Sequence, residues 1–380
     1  MRVLLVSNTA WNIFNFRMKL VQGLRDEAGL DVEAVATPDG FERELECAGL
    51  TCHAWFHDRR SINPLSAVAS IDRLRRLYRR LRPQIVHHFT VKPVLFGTIA
   101  ARLAGVPGVI NCVTGLPYYF MGKQSAGLTG LARSGALQWY ARSLYGARTR
   151  STFQNKDDLD EISAIVPKVR ASSTLINGSG VDLSRFRPRI PARDAQLTVT
   201  FIGRLIREKG IYEFMEGIAA VHSRMSCPPR VLVCGTVDQG NRSAVSSDQL
   251  TQWKTLDGIE FRGHVGDMAE VLKETDVVVL PSYREGVPRS LLEAASSGIP
   301  IVTTDVPGCR EVVEDGVNGI LVPPHDGPSV GNAILKLLAD AELRQAMGTA
   351  GRRRMEERFD ERLVVRETIQ VYRTLLQELN

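Results

Sequence analysis

Short apolar runs rich in β-branched residues alternate with stretches of helical periodicity along nearly all of the 380 residues. Continuous apolar strands that alternate with helices are typical of parallel sheets covered on both faces. Strands are predicted at 2–8, 31–37, 51–56, 85–89, 109–113, 151–155, 173–177, 197–203, 230–235, 259–263, 277–282, 300–305 and 319–323. Helices are predicted at 16–28, 64–82, 92–104, 156–166, 210–224, 267–275, 289–297, 328–357 and 360–379. The pattern therefore predicts an α/β fold of doubly wound parallel sheets.

The periodicity breaks near 178–196, where a Gly-Ser-Gly stretch is followed by Arg-Pro-Arg-Ile-Pro. Breaks rich in glycine and proline mark turns and linkers. We therefore predict two Rossmann-like domains, 1–185 and 186–358. The sequence leaves open whether a final helix over 359–380 packs back on the first domain. Because ligands bind at the carboxyl ends of parallel strands, a cleft between the domains is the expected place for chemistry.

The strongest local signal is 281–294, which reads Pro-Ser-Tyr-Arg-Glu-Gly-Val-Pro-Arg-Ser-Leu-Leu-Glu-Ala and follows a buried strand. A helix is expected to begin close to Pro288, since proline suits the first helical position. Backbone N–H groups around Gly286 and Val287 would then face a ligand together with the positive end of the helix dipole. Such a site suits a phosphate or a sugar hydroxyl.

Two acids belong to this signal. Glu285 precedes the predicted helix and Glu293 lies about one turn inside it. From different depths, each carboxylate could accept hydrogen bonds from the vicinal hydroxyls of one ligand. A helix that merely carries an N-terminal acid and a surface glutamate would show the same spacing.

The second signal is 201–210, which reads Phe-Ile-Gly-Arg-Leu-Ile-Arg-Glu-Lys-Gly. The strand ends at Gly203, where backbone can approach a ligand, and Arg204 and Lys209 follow in a tight loop. Two cations at the end of the first strand of a domain could neutralise a diphosphate. An ordinary surface loop could have the same composition.

Together these segments resemble the retaining glycosyltransferases of family 4, the group 1 transferases with the GT-B fold. The likeness covers the whole C-terminal half, and that many motifs in order make it specific. It is carried by Glu285-x7-Glu293, Gly203-Arg204-x4-Lys209-Gly210, Asn177-Gly178, Val181-Asp182, Gly298-Ile299-Pro300-Ile301-Val302, Gly308-Cys309-Arg310-Glu311-Val312-Val313 and Gly316-x2-Gly319. The resemblance implies a GT-B architecture in which 1–185 binds the acceptor and 186–358 binds the nucleotide-sugar donor.

The resemblance also implies roles at the donor site. Arg204 and Lys209 would hold the donor diphosphate and stabilise the leaving group in place of a metal ion. Prearranged cations lower the barrier to such a departure effectively. Neither a metal nor a cofactor is therefore expected, and the donor substrate is a UDP-sugar.

The remaining donor contacts are carried over in the same way. Glu293 would bind the ribose hydroxyls, Glu285 would hold the donor sugar, and the segment 262–265 lies where such enzymes seat the base. The predicted donor-binding residues are Gly203, Arg262, His264, Gly286, Val287, Pro288 and Glu293.

The N-terminal half resembles the bacterial subgroup that adds N-acetylhexosamines to polyprenyl-diphosphate-linked sugars. The resemblance is carried by 86–93, Val-His-His-Phe-Thr-Val-Lys-Pro, and by 114–120, Thr-Gly-Leu-Pro-Tyr-Tyr-Phe. His88 ends a strand, so we expect it to face the cleft with a catalytic role; a satisfied structural histidine is the alternative. The predicted acceptor-binding residues are Asn12, Thr90, Lys92, Thr114 and Gly115.

Two departures from the family pattern leave the acceptor base open. The first strand-to-helix loop, Ser7 to Asn12, lacks the glycine pair of many relatives. Val113-Thr114-Gly115 stands where many relatives carry a catalytic-site histidine. The family precedent implies retention without a stable glycosyl-enzyme, with the leaving phosphate helping to take the acceptor proton.

Positive charge is concentrated at 51–150, which holds 15 basic and two acidic side chains. Such a surface suits an anionic partner. In the predicted helix 64–82, the arginines lie opposite an apolar stripe that is expected to face the core. That stripe consists of Leu65, Val68, Ile71, Leu74, Tyr78 and Leu81, and the arginines are Arg73, Arg75, Arg76, Arg79, Arg80 and Arg82.

Residues 118–150 mix aromatic, aliphatic and basic side chains with no acid. This composition suits an interfacial segment on an anionic leaflet, and buried packing is an equal alternative. We find no signal-peptide pattern at the N-terminus and no apolar run of the roughly 20 residues that span a bilayer. The expectation is a cytoplasmic protein, peripheral on the inner face of the cell membrane.

Other functions fit less of the sequence. The same donor chemistry with a soluble sugar or metabolite as acceptor is the nearest alternative. A nucleic-acid-binding protein using the basic half is another class, but no binding module accompanies its arginines, so no nucleic-acid partner is expected. A nicotinamide dehydrogenase is disfavoured because no Gly-x-Gly-x-x-Gly follows the first strand of either half.

Overall fold

The structure, a computed structural model, describes residues 1–57, 63–116, 128–188 and 196–379, with Pro64 and 128–133 described by their backbone only. The chain divides into two compact units. Unit 1 contains Met1–Ser179 and Arg362–Asn380, and unit 2 contains Gly180–Glu361. The first part of the predicted interfacial segment, 118–127, lies outside the described residues.

Unit 1 is built on a seven-stranded parallel sheet with the strand order β3-β2-β1-β4-β5-β6-β7. The strands are β1 Arg2–Ser7, β2 Asp31–Ala36, β3 Cys52–Ala54, β4 Ile85–Phe89, β5 Gly108–Val113, β6 Thr149–Phe153 and β7 Ser173–Leu175. Successive residues of a strand face opposite sides of its sheet. Val3 and Leu5 of β1 accordingly belong to one apolar cluster, and Leu4 and Val6 belong to another. Both faces are covered, as the continuous apolar strands predict.

The described residues of unit 1 form seven helices between its strands and one that follows unit 2. They are α1 Ala10–Asp26, α2 Glu42–Cys47, α3 Pro64–Leu81, α4 Thr98–Ala104 (preceded by a π-helical turn, Pro93–Gly97), α5 Leu128–Ser143, α6 Lys156–Ile165 and α7 Lys168–Ala171, with α15 Glu361–Leu379 at the end of the chain. Helix α1 begins six residues before the predicted start because Thr9 Oγ1 accepts the N–H of Asn12 at 3.1 Å and caps it.

The final helix, α15, packs on unit 1. Val365 and Ile369 lie against Gly23 of α1, where a Cβ would meet Val365 Cγ1 at 2.5 Å. The hydroxyl of Tyr372, fully buried, lies 2.9 Å from Nδ1 of His87 on β4. The helix therefore forms part of the core on one face of the unit 1 sheet.

Unit 2 has a six-stranded parallel sheet with the order β10-β9-β8-β11-β12-β13. The strands are β8 Thr198–Ile202, β9 Arg230–Cys234, β10 Ile259–Gly263, β11 Val277–Leu280, β12 Ile301–Thr304 and β13 Gly319–Val322. The helices are α8 Ile211–Arg224 (preceded by a 3-10 turn, Arg207–Lys209), α9 Ser247–Lys254, α10 Met268–Lys273, α11 Arg289–Ser296, α12 Cys309–Val312, α13 Gly327–Ala339 and α14 Ala341–Arg358. The GT-B prediction of two Rossmann-like parallel-sheet domains is confirmed.

Helices α2, α5, α7, α9 and α12 were not predicted, and two further details of the predicted helices are wrong. The predicted helix 328–357 is two helices, because Asp340 adopts extended backbone between them and caps α14 by accepting the N–H of Leu343 at 2.8 Å. Leu65 and Val68, predicted to face the core, are 79% and 65% exposed. The first turns of α3 thus extend beyond the core that its later residues Ile71, Leu74, Leu77 and Tyr78 join.

The described part of the segment 118–150 divides between core and surface. Tyr140 and Leu144 are fully buried, whereas Trp139 and Tyr145 are 48% and 38% exposed. Among the described residues, no helix is long and apolar enough to cross a membrane.

Candidate active site

Each sheet has a pair of adjacent strands from which the strand order runs outward in opposite directions. The pair is β1 and β4 in unit 1, and β8 and β11 in unit 2. Doubly wound proteins bind ligands at the carboxyl ends of such a pair. We call these carboxyl ends the ligand edge of each unit. The predicted donor motifs follow β8 and β11, and the predicted acceptor residues follow β1, β4 and β5.

The loop after β8 is locked against the loop after β11. Gly210 has a φ of +71°, and a Cβ there would lie 1.9 Å from the carbonyl oxygen of Pro281, so only glycine fits. The N–H of Tyr283 donates to the carbonyl oxygen of Glu208 at 2.9 Å. These contacts hold Lys209, on the first loop, close to Glu285, on the second.

Lys209 and Glu285 form an ion pair in which Lys209 Nζ donates to Glu285 Oε1. Their side chains are 20% and 11% exposed, so the pair is largely withdrawn from water. Ser282 Oγ donates to the same carboxylate oxygen at 2.7 Å. Because an ammonium group has three donors, Lys209 can hold Glu285 and still donate to an anion.

A third loop, after β12, supports Glu285. The N–H of Glu285 donates to the carbonyl oxygen of Pro307 at 3.1 Å. Gly308 has a φ of +81°, and a Cβ there would lie 2.2 Å from the carbonyl oxygen of Gly286. Burial and the nearby charge of Glu285 raise the pKa of the Cys309 thiol to about 12. This thiol therefore stays protonated at neutral pH and is a poor nucleophile.

Helix α11 begins at Arg289, because Pro288 keeps extended backbone (φ −71°, ψ 116°) at the cap position. Within the described part of the chain, no side chain caps this N-terminus and its first turn contains no acid. The positive end of the helix dipole is thus offered to a ligand. Glu293 accepts from Arg289 Nε at 3.0 Å, and its side chain is 15% exposed. Burial raises the pKa of Glu293, and the Arg289 charge opposes that rise.

Arg204 lies at a more open position than Lys209. Its side chain is 57% exposed, and Nη1 donates to Asp238 Oδ2 at 2.7 Å. The preceding Gly203 is held by the neighbouring strand, since its N–H donates to the carbonyl oxygen of Cys234 at 2.9 Å. Among the described residues, Lys209 donates a hydrogen bond to one of the two predicted glutamates, whereas Arg204 donates to Asp238.

The guanidinium of Arg262 belongs to an ion network at the end of β10. It donates to Glu260 at 2.9 Å and to Glu274, and Arg230 bonds the same two acids at 2.6 and 2.8 Å. These carboxylates raise the pKa of Arg262 further. A nucleotide base at this position would therefore meet the backbone of 262–264 rather than this guanidinium. His264 is exposed and follows Gly263, which has a φ of +63°.

The structure contradicts the predicted orientation of His88. The residue is fully buried: Nδ1 donates to Asn111 Oδ1 at 2.8 Å, and Nε2 lies 3.1 Å from the hydroxyl of Tyr78. A Cβ on Gly97 would lie 2.4 Å from Nε2, so the ring is tightly enclosed. Burial lowers the pKa of His88 to about 4. His88 is therefore a satisfied core histidine, and we no longer assign it a catalytic role.

A strained residue stands at the ligand edge of unit 1. Thr90 directly follows β4 with a φ of +72°, which is unfavourable for a β-branched residue. Its Oγ1 is buried and has no hydrogen-bond partner among the described residues, and the same holds for Asn8 Oδ1, directly after β1. Asn8 and Thr90 each directly follow one of two paired strands, β1 and β4, at the ligand edge. Thr90 is one of the predicted acceptor-binding residues, whereas Asn8 was not predicted. The one indication of Asn8 in the sequence is a polar side chain directly after a central strand.

The other predicted acceptor residues follow the same strands: Asn12 lies in the first turn of α1, Lys92 directly precedes the π-helical turn, and Thr114 and Gly115 lie in the loop after β5. Asn12, Lys92 and Thr114 are half-buried, and Gly115 has a φ of +114°. Asn12 Oδ1 accepts from Ser7 Oγ at 3.0 Å. The loop after β5 is held by Asp158, a fully buried carboxylate whose Oδ2 accepts the N–H of Leu116 at 3.1 Å. Asp158 is a structural residue that the sequence analysis did not single out.

Two family models match successive parts of the chain. Residues 184–354 match glycosyl transferases group 1, and residues 2–149 match the glycosyl transferase 4-like model. The fold and these matches define a glycosyltransferase of the GT-B architecture. Successive parts of the chain thus match two glycosyltransferase models, and the predicted resemblance to this family and the predicted enzyme class are confirmed.

Two curated relatives are similar along most of their length. The chain is 23% identical over 395 residues to the N,N'-diacetylbacillosaminyl-diphospho-undecaprenol alpha-1,3-N-acetylgalactosaminyltransferase of Campylobacter jejuni, covering 100% of both chains. It is 28% identical over 298 residues to the UDP-Gal:alpha-D-GlcNAc-diphosphoundecaprenol alpha-1,3-galactosyltransferase of Escherichia coli, covering 75% of this chain and 74% of the relative.

Among solved structures, Anabaena HepE in complex with UDP-glucose has the same fold. The TM-score is 0.79 at 16% sequence identity, and the match covers 99% of this chain and 100% of that one. At this identity the likeness establishes the fold alone.

Proposed function

We propose that this protein transfers an N-acetylhexosamine from a UDP-sugar, with retention, to a polyprenyl-diphosphate-linked saccharide during assembly of a cell-surface glycan. The observation that supports donor binding is the Lys209–Glu285 ion pair, which two interlocked loops hold. The second of these loops leads into α11, whose N-terminus has no side-chain cap among the described residues. A pyrophosphate bound there would meet an ammonium group and backbone N–H groups that are already in place. Both stabilise the charge that develops on a departing nucleoside diphosphate.

The donor contacts divide between the two loops. Lys209 holds the diphosphate, and Arg204, whose exposed guanidinium has five donors and one recorded acceptor in Asp238, turns toward it on binding. Glu285 accepts hydrogen bonds from the donor sugar, and Glu293 accepts them from the ribose. This division uses protein cations to neutralise the leaving group and needs no metal ion.

Proton transfer from the acceptor does not use His88 in this proposal, because that ring is buried with both nitrogens engaged. We assign the proton to the leaving phosphate, which lies on the face from which the acceptor attacks when configuration is retained. Lys209 and the α11 N-terminus then hold that phosphate while it gains negative charge on departure and accepts the proton from the acceptor hydroxyl.

The acceptor half rests on the names of the relatives and on the ligand edge of unit 1. Both curated relatives are named for undecaprenyl-diphosphate-linked sugars. The hydroxyl of Thr90 is buried at the ligand edge and has no hydrogen-bond partner within the part of the chain that the structure describes. We propose that Thr90, Asn8, Asn12, Lys92, Thr114 and Gly115 bind the acceptor saccharide. Because the lipid stays in the bilayer, the enzyme works at the cytoplasmic membrane face.

UDP release during incubation with UDP-sugars and lipid-linked acceptors tests the proposal. We expect turnover with a UDP-N-acetylhexosamine that persists in excess EDTA. Glu293→Ala and Arg204→Ala should each lower kcat/KM by about 100-fold, the order expected for losing one transition-state contact. Wild-type turnover by both variants would remove the site assignment, and loss of activity in EDTA would remove metal independence.

A soluble acceptor is the second candidate, because the family model alone does not specify the acceptor. It predicts transfer to free sugars at the rate seen with lipid-linked ones, and no binding to anionic vesicles. Equal kcat/KM for a lipid-linked saccharide and its lipid-free glycan would favour it.

A further inference from the structure

Three side chains from separate elements of unit 2 meet beneath the loop that carries Glu285. Tyr283 Oη donates to Glu213 Oε1 at 2.7 Å. The His325 ring lies over the Tyr283 ring with their centroids 3.9 Å apart, and its Nδ1 is 4.0 Å from the same Glu213 oxygen. We call Glu213, Tyr283 and His325 the brace.

The brace is connected to the proposed donor site through Tyr283. This residue is 8% exposed, and its N–H donates to Glu208, the neighbour of Lys209. Glu285 follows it by two positions. A shift of the Tyr283 ring would therefore change the spacing between Lys209 and Glu285.

Glu213 is poorly explained by stability alone. Its side chain lies in the first turn of α8, the residue is 9% exposed, and Oε2 is buried without a hydrogen-bond partner among the described residues. A buried carboxylate oxygen with no donor is unfavourable compared with an apolar side chain of similar size. Within the described ranges, the hydrogen bond that this carboxylate accepts comes from Tyr283.

His325 is held in a strained conformation. It follows β13 with a φ of +63°, a region that favours glycine, and its side chain is 53% exposed. Strain of this kind persists where the surroundings impose it, and it is concentrated at functional sites. Here the next residue anchors the turn, because Asp326 caps α13 by accepting the N–H of Ser329 at 2.9 Å.

We propose that the brace positions the donor loop: Glu213 and His325 act through Tyr283 to keep Lys209 and Glu285 at the spacing that grips the donor. They are positioning residues, which touch neither the diphosphate nor the sugar. The inference rests on the proposed function and extends it to a second layer of residues.

His325→Gly gives the sharpest test, because it removes the ring and relieves the strained φ. We expect its Tm to stay the same or rise, while KM for the UDP-sugar rises about tenfold and kcat changes less than threefold. Tyr283→Phe should raise KM similarly. Glu213→Gln, which keeps an acceptor for Tyr283, should restore most of the affinity that Glu213→Leu loses. Tyr212→Phe on the same helix is the matched control and should leave KM unchanged.

If Tm and activity fall together in His325→Gly, the histidine is merely structural and the proposal is overturned. An unchanged KM in both His325→Gly and Tyr283→Phe would also overturn it. Hydrogen exchange of 281–288 without ligand separates this proposal from the proposed function. We expect faster exchange in His325→Gly than in the wild type. Equal exchange rates in the wild type and His325→Gly would contradict the brace proposal even if the wild type binds UDP. Faster exchange in His325→Gly, together with a wild type that does not bind UDP, would contradict only the donor-site assignment.

Discussion

His87 and His88 are adjacent in sequence, yet the pleat of β4 sends their side chains to opposite faces of the sheet. His87 lies against Tyr372 of α15, and His88 lies against Tyr78 and Asn111. Both imidazoles are buried, and desolvation lowers both pKa values, that of His88 to about 4. A histidine pair at the end of a strand therefore need not be a catalytic signal.

The depressed pKa of His88 predicts a loss of stability in mild acid. In the unfolded chain a histidine titrates near pH 6.5, whereas His88 in the fold titrates near 4. Between these values the unfolded state binds a proton that the native state does not, so stability is full above about pH 6.5 and falls as pH decreases toward 4. The contribution lost by pH 5 is about 2 kcal/mol.

Urea unfolding at a series of pH values measures this effect. We expect the free energy of unfolding of His88→Gln to depend on pH less steeply than that of the wild type between pH 7 and 5. Parallel pH profiles for the two proteins would show that His88 takes up its proton without unfolding.

Lys209 has a prediction of its own, because it supplies the buried positive charge of the proposed donor site. Lys209→Met keeps the apolar stem and removes the ammonium, so kcat/KM should fall by a factor of about 100 to 1,000. Lys273→Met, at an exposed lysine also paired with a glutamate, is the matched control and should retain full activity. UDP release measures both, and similar activities would exclude Lys209 from the site.

At the level of elements, the packing of α15 on α1 depends on a missing side chain. Gly23→Ala would gain helix propensity, but its Cβ would meet Val365 Cγ1 at 2.5 Å and Ile369 Cδ1 at 3.2 Å. We expect a net destabilisation of about 1–2 kcal/mol, since overpacking outweighs the propensity gain of up to about 1 kcal/mol. In Gly135→Ala of α5, where no atom lies within 4 Å, the gain should appear alone. Denaturant midpoints compare the two, and stabilisation of both would argue against tight packing of α15.

The elements themselves follow largely from the sequence. Each strand of both sheets lies at a predicted position, and the central strands do so because a buried parallel strand needs a continuous apolar run. Helix α2, Glu42–Cys47, could not be predicted, since six residues with one buried leucine show no periodicity. Local periodicity also does not show where a core ends. In α3 the apolar spacing includes Leu65 and Val68, although both side chains are exposed.

The candidate site was predictable where local sequence dictates geometry. Gly210 and Gly308 are required because the backbone of a neighbouring loop approaches each of them closely. The Lys209–Glu285 contact joins the two predicted donor motifs, 201–210 and 281–294. Contacts that depend on tertiary packing were not predictable: the enclosure of His88 by Gly97 and Asn111 involves three separate elements. The roles of the donor and acceptor residues remain predictions.

At the scale of the whole molecule, unit 1 combines exposed apolar side chains with arginines. Phe56, Leu65 and Val68 are 61%, 79% and 65% exposed. Phe56 lies in the connection that follows β3, Leu65 and Val68 lie in the first turns of α3, and a helix that links parallel strands begins at the ligand edge. Arg73, whose Nη1 donates to the carbonyl oxygen of Phe56 at 2.8 Å, ties this connection to α3.

This arrangement suits an anionic bilayer. Arg73 and Arg76 lie roughly 7 and 12 Å beyond Val68 along the helix axis, at 1.5 Å per residue. Membrane-binding segments combine apolar side chains that enter the headgroup region with basic side chains that are attracted to anionic lipids, and both are present at this end of α3. Such docking would bring the ligand edge of unit 1 to the membrane, where the proposed polyprenyl-linked acceptor would be held.

The prediction at this scale is that replacing Phe56, Leu65 and Val68 together by serine weakens binding to phosphatidylglycerol vesicles by tenfold or more. Leu256 and Val317, exposed apolar residues of unit 2 at 47% and 44%, give the matched control when both are replaced by serine. Sedimentation with vesicles measures binding, which should also fall between 0.15 and 0.5 M salt because the arginine contribution is screened. UDP affinity should be unchanged in both variants, since the substitutions lie outside the donor loops 203–210 and 281–288. Equal vesicle binding by the two variants would mean that unit 1 meets the membrane elsewhere, and binding by neither the variants nor the wild type would favour a soluble acceptor.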